Sequence, residues 1–383
     1  MKIVSWQPVL TDHQSWTLEA LQVATGCEFE IHVLQASHAE RRAQGWLNAH
    51  ADALKPTVLP PRRTFLQALR IIREARDAVH VFGSPFERLS LILVLCTAVA
   101  MGRRVYLVSE PYSPISAGYQ SDSRGLLNRL KSRLRPLAYS LYGCLLSKRI
   151  SGVFAISRLS AEQYRRIGVP TSRIFPFGYF IPRQIGLPEA PRERADEGGF
   201  TLRAVFVGNL IARKGLDLLV AAIRDLRSQG VAVTLDAYGP GDPAPFGFDE
   251  AAIRYRGAVS FGQAQRVISE YDVLILPSRF DGWGVVVNEA LLAGVPVICS
   301  DAVGAGDLLT QWDCGARFRS EDVSDLGRTL RSFATIDRLA ALRRGVRPAA
   351  EAILPSVAGQ YMAEAIHRGP AGPKPKCPWY DCL

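Results

Sequence analysis

The chain has 383 residues, 48% hydrophobic and 21% charged, with a formal net charge of +10. That balance excludes a disordered or fibrous chain and leaves room for two domains of ordinary size. The positive excess keeps three partner classes open, namely nucleic acid, an anionic membrane surface and a phosphorylated substrate. The seven cysteines are scattered without a C-x₂-C pair. Such usage points to a reducing compartment and away from a zinc site or a disulfide framework.

The opening MKIVSWQPVL lacks the apolar core of a secretory leader. The most apolar run, Leu89–Met101, has 13 residues, short of the ~20 that cross a bilayer. The expectation is a cytoplasmic protein without a spanning helix. Lys2–Ser5 reads as the first strand and Gln14–Ala24 as a helix. The intervening loop offers His13 and Gln14 as polar groups. Phe29–Leu34 is a second strand, residues 64–76 a basic helix, and Ala78–Phe82 a third strand with His80 as a packed core histidine. Arg103–Val108 is another strand, running into Ser109 and Glu110.

Residues 118–150 differ in kind. Arg124, Arg129, Lys131, Arg133 and Arg135 alternate with leucines at helical spacing, which places the basic residues on the side opposite the leucines. Such a helix suits an interface with anionic lipid, and a core helix with a solvated basic face fits the same pattern. Gly152–Ser157 closes the first half as a strand, followed by a helix through Arg166.

The stretch 181–199, rich in Pro, Gly and charge, reads as a linker between a domain of residues 1–180 and one of 200–350. Leu202–Val207 is a strand, followed by Gly208-Asn209-Leu210-Ile211-Ala212-Arg213-Lys214-Gly215 and a helix from Leu216. Adjacent cations in a β–α loop suit a diphosphate, the Arg gripping two oxygens and the Lys acting as a point charge. Val231–Tyr238 ends at Gly239. Val273–Leu276 is a buried strand, Ser278–Gly284 a loop, Val285–Ala293 a helix and Val295–Cys299 the next strand. This loop sits where open parallel sheets bind ligands. Gly282 and Gly284 let the backbone approach a ligand, and free N–H groups at the helix start favour a diphosphate. Asp281 and Glu289 offer carboxylates to the paired hydroxyls of a ribose. The chain from Asp325 to Ile366 reads as helix broken at Pro348 and Pro355, and 369–383 as a disordered tail.

The segment Tyr271–Leu309 resembles the donor-binding signature of retaining glycosyltransferases of family four, the glycosyl transferases group 1. The usual form runs PS-x-x-E-G-F-G-x-x-x-x-E-A, with two Glu eight positions apart. Here Asp281 replaces the first Glu and Trp283 the aromatic, while Glu289 is kept. Residues 208–215 resemble the family's G-R-L-x-x-x-K-G segment, with Asn209 at the first Arg. The first β–α loop lacks the family's glycine-rich sequence, and Ser109 stands where a His is common.

The resemblance implies an α/β fold of two Rossmann-like domains (GT-B) with a deep interdomain cleft. A helix over 351–368 would cross back to the first domain. It implies transfer of a sugar from a nucleotide-diphosphate sugar to a glycan or lipid-linked glycan, as in surface polysaccharide synthesis, with retention and without a metal or other cofactor. Donor residues would be Gly208, Asn209, Arg213, Lys214, Gly239, Asp281, Gly282, Trp283, Gly284, Val285 and Glu289. Acceptor residues would be His13, Gln14, Ser109 and Glu110, and the chemistry would rest on Arg213, Lys214, Asp281 and Glu110. Membrane contact would use Arg124, Arg129, Lys131, Arg133 and Arg135, placing the protein on the inner face of the cell membrane. A nucleotide-sugar epimerase or a phosphorylase on the same fold, a catalytically dead nucleotide-sugar-binding subunit, and a basic nucleic-acid-binding protein are the other readings.

Overall fold

The computed structural model describes residues 1–36, 49–61, 63–113, 126–187, 200–249, 251–260 and 262–380. Arg124 and most of the linker lie outside them, as do the side chains of Arg129 and Lys131. The chain divides into two compact units. One gathers Met1–Tyr112, Arg133–Ile181 and Leu354–Leu383, and the other is centred on Pro182–Ile353.

The first unit contains, in chain order, β1 (Lys2–Gln7), α1 (Asp12–Thr25), β2 (Glu28–Val33), α2 (Ala49–Ala53), β3 (Thr57–Val58), α3 (Thr64–Glu74), β4 (Val79–Gly83), α4 (Leu89–Ala100), β5 (Arg104–Ser109), α5 (Leu126–Leu146), β6 (Gly152–Ile156), α6 (Ser157–Arg166) and β7 (Ile174–Phe177). Its sheet is parallel, ordered β3-β2-β1-β4-β5-β6-β7. Strands buried on both faces read as continuous apolar runs because helices cover each side. His80 is such a core residue. It accepts a hydrogen bond from Trp6 Nε1 at 3.1 Å, and burial pushes its imidazole down to about 4.

The second unit contains β8 (Leu202–Val207), α7 (Leu216–Ser228), β9 (Val233–Tyr238), β10 (Ile253–Tyr255), α8 (Ala264–Ile268), β11 (Val273–Leu276), α9 (Val285–Leu292), β12 (Val297–Ser300), α10 (Gly306–Trp312), β13 (Gly315–Phe318), α11 (Val323–Phe333) and α12 (Ile336–Ala352). Its sheet is also parallel, ordered β10-β9-β8-β11-β12-β13. Leu202, Ala204 and Phe206 alternate with Arg203 and Val205, and only the first set enters the core beneath α7 and α11.

The last helix, α13 (Pro355–Arg368), returns to the first unit and packs along α1. Gly359 permits the approach, since a Cβ there would lie 2.4 Å from the Ala20 carbonyl carbon. Two expectations need correction. Pro348 does not break a helix, for α12 runs through it. The tail is not disordered as far as Tyr380. Trp379 is fully buried, its ring 4.5 Å from Phe180 and 5.0 Å from Tyr361. The Tyr380 hydroxyl donates to the Phe177 carbonyl at 3.1 Å. Two aromatic side chains carry enough apolar surface to hold a segment whose prolines and glycines alone would not.

Candidate active site

In each sheet the strand order reverses at one place, where the loops leaving neighbouring strands diverge and open a crevice. In the second unit that place lies between β8 and β11. The loops after these strands are the two that carry Arg213-Lys214 and Asp281.

Backbone contacts lock these loops together. Gly215 has φ 70°, and a Cβ there would lie 2.0 Å from the Pro277 carbonyl oxygen, so only glycine fits. Arg279 N donates to the Arg213 carbonyl at 2.8 Å. The loop after β12 closes from the other side. Asp281 N donates to Ala302 O at 3.0 Å, Gly304 N to Asp281 O at 3.0 Å and Ala305 N to Trp283 O at 2.8 Å. Gly239 meets Gly208 so closely that a Cβ would lie 1.8 Å from the Gly208 oxygen. Gly208 in turn lies beside the Lys214 stem.

Within this frame Lys214 Nζ and Asp281 Oδ2 form an ion pair of 2.6 Å, with side chains 16% and 8% exposed. Arg213 is buried, and one guanidinium N–H donates to the Phe280 carbonyl at 2.9 Å. Trp283 is buried as well and donates from Nε1 to Asn288 Oδ1 at 2.8 Å, stapling the loop to α9. Gly284 (φ 92°) and Val285 start that helix, and Gly282 is buried before them. Asn209 is half-buried in the loop after β8.

Glu289 stands on the second turn of α9, only partly exposed. Burial pushes its carboxyl up from 4.5 to about 7. Its side chain has no hydrogen-bond or ion-pair partner among the described residues, so the group is open to donors from a ligand.

Sequence reading missed Arg279. Its guanidinium pairs with Asp217 at 2.7 Å and Glu321 at 3.1 Å and donates to Ala212 O at 2.5 Å, bracing three loops. The signal available was its place inside the motif. Its partners, far away in sequence, gave none.

In the first unit the expected acceptor residues separate. Gln14 Oε1 accepts from Thr11 N at 3.2 Å and from Thr11 Oγ1 at 2.9 Å, a capping arrangement at the start of α1. Ser109 is buried, its hydroxyl donating to the Glu110 carbonyl at 3.3 Å. His13 and Glu110 do converge, through Tyr179. The Tyr179 ring stands edge-on to His13 at 4.4 Å, and its hydroxyl donates to Glu110 Oε1. Tyr179 was not foreseen, because residues 13, 110 and 179 share no local pattern. No group of three or more His, Cys, Asp or Glu able to hold a metal occurs among the described residues.

Residues 201–335 match the family model described as glycosyl transferases group 1. The second domain belongs to that family. The chain is 28% identical over 188 residues to the glycogen synthase of Mycobacterium tuberculosis, covering 45% of each chain. It is 32% identical over 161 residues to a putative teichuronic acid biosynthesis glycosyltransferase, TuaC, of Bacillus subtilis, covering 41% of this chain and 40% of that one. The chain thus spans a little under half the length of these curated relatives.

Among solved structures, the lipopolysaccharide outer core galactosyltransferase WaaB superposes with a TM-score of 0.65 at 14% identity, over 96% of this chain and 99% of that one. Anabaena HepE, solved with UDP, gives 0.64 at 13% identity, over 96% and 100%. These likenesses show the fold, an α/β chain of two domains of GT-B type.

Proposed function

We propose that the protein transfers a sugar from a nucleotide-diphosphate sugar to a glycan or lipid-linked glycan, in the assembly of a surface polysaccharide. One observation carries the reading. The loops at the strand-order reversal of the group 1 domain hold Lys214 against Asp281, with Glu289 following on α9. A diphosphate entering there meets a cation, backbone N–H groups at the start of α9 and glycines that give way to it. Glu289 then takes the ribose hydroxyls.

As the bond to the anomeric carbon breaks, negative charge grows on the leaving diphosphate. Lys214 stabilises it in a site with little water, where such help is worth far more than in bulk solvent. Arg213 fixes the loop through Phe280 and adds positive potential. The reaction retains configuration and needs no divalent ion. On the first domain, Glu110, held by Tyr179, positions the acceptor hydroxyl beside His13. The protein works peripherally on the cytoplasmic face of an anionic membrane.

Relatives and neighbours named as polysaccharide glycosyltransferases support this reading, and none of the reported similarities favours an epimerase or a nucleic-acid-binding protein. The test is incubation of the purified protein with a panel of nucleotide sugars, following release of nucleoside diphosphate. Release from one donor class is expected, rising when acceptor glycan is added. Inertness towards the whole panel would reject the assignment.

A further inference from the structure

Four leucines of α5 face outward. Leu134, Leu137, Leu141 and Leu145 are 52%, 69%, 58% and 52% exposed, in one row along the helix. The opposite side carries the packing. Tyr142 stacks on Phe86 at 4.4 Å, Tyr139 meets Tyr112 at 4.8 Å, and Leu146 is buried. An amphipathic helix ordinarily turns such a row into the core. Here tyrosines fill the core, and the apolar row is left over.

The row does not stand alone. Connections β3→β4, β4→β5 and β5→β6 all run the same way across the sheet, so right-handed crossovers put α3, α4 and α5 on one face. Ala68, Leu91 and Leu146, one from each helix, accordingly share a single buried cluster. The outer side of α4 is apolar too, with Leu89 at 71% and Leu93 at 48% exposure, and α3 adds Leu66 at 66% beside its exposed Arg70–Glu74 pair. Exposed basic residues (Arg73, Arg88, Arg133, Lys148 and Arg149) lie on or beside the same helices. Soluble surfaces seldom leave so many large apolar side chains uncovered together.

We propose that this three-helix face inserts its leucines into the headgroup boundary of an anionic phospholipid bilayer, the apolar row being the anchor and the cations choosing the lipid. The idea rests on the peripheral-membrane reading above and deepens it, because a merely electrostatic attachment would need no outward leucines. Charge selects the occupant. A second copy seated face to face would oppose Arg88, Arg133, Lys148 and Arg149 to their own kind, whereas anionic headgroups neutralise them.

The experiment is co-sedimentation of the full chain with phosphatidylglycerol–phosphatidylcholine vesicles and with pure phosphatidylcholine, at low and high salt. Binding to the anionic vesicles is expected, much of it surviving high salt. Leu137→Glu with Leu141→Glu should lower partitioning by about 100-fold, as two inserted leucines contribute. Arg133→Gln should cost only about fivefold. Both leucines are exposed, so the double variant should keep the wild-type melting temperature and nucleoside diphosphate binding.

Wild-type indifference to anionic vesicles at low salt would overturn the proposal. So would a double variant that binds as wild type does, or complete release by salt. A concentration-dependent dimer that the double variant dissolves, without vesicle binding, would assign the face to a second copy instead. Nucleotide-sugar turnover is read separately. Vesicle binding without turnover would leave the face standing and remove the enzymatic reading, and the converse would do the reverse.

Discussion

The proposed donor loops of the second domain and the proposed acceptor rim of the first are built by different means. Around Asp281 the geometry is set by main chain, with loop-to-loop hydrogen bonds at 2.8–3.0 Å and glycines where a Cβ would collide. Around Glu110 it is set by side chains from three distant segments, with Tyr179 joining His13 to the carboxylate. A site made of backbone tolerates few changes in its glycines. One made of side chains tolerates any change that keeps the contact. The two should therefore fail differently.

The largest effect should come from the charges held by the backbone frame. Lys214→Ala, at the leaving diphosphate, and Glu289→Gln, at the ribose, are each expected to lower sugar transfer by at least ~100-fold, since a charged hydrogen bond lost in a dry site is worth about 2.7–4 kcal/mol. Near-normal turnover in either variant would remove the donor site from these loops. Next comes the frame itself. Gly215→Ala should destabilise the second domain by about 2 kcal/mol or more in urea unfolding, because the left-handed backbone and the Pro277 contact both oppose a methyl group.

On the rim, Tyr179→Phe should reduce acceptor-dependent transfer by about tenfold, the worth of one hydrogen bond to a carboxylate. Donor hydrolysis without acceptor should be unchanged. A loss of donor hydrolysis would mean that the rim serves the donor. The smallest effect is expected from Asp281→Glu, which restores the residue usual in the family. A fall beyond about tenfold would show a site fitted to the shorter acid.

The same contrast explains what was readable beforehand. Backbone-built geometry leaves glycines at fixed offsets and cations beside them, so the loops after β8 and β11 could be found from residues 208–215 and 277–289. The meeting of His13, Glu110 and Tyr179 depends on strand order and left no local trace. In α5 the periodicity of the leucines marked a one-sided helix without saying which side packs. Tyr139 and Tyr142 decide that against Phe86 and Tyr112. In the tail, Pro and Gly content outweighed Trp379 and Tyr380, whose burial depends on Phe177, Phe180 and Tyr361 far upstream.

Glu289 supplies the most direct test of the donor site. Its carboxyl lies at about 7 in the folded protein against an ordinary 4.5. Between those values the native state keeps a proton that the unfolded state has lost, so this group's contribution to stability falls as pH rises through the window. Ribose hydroxyls donate to the ionised form and pull the value back down, so binding must release protons. Titration calorimetry of the preferred nucleoside diphosphate near pH 6.5, in buffers of differing ionisation enthalpy, should show net release of up to about one proton per site. Glu289→Gln should abolish that release and weaken binding. Binding with no proton release, or with the same release in the Gln variant, would contradict the placement of the donor at Lys214, Asp281 and Glu289.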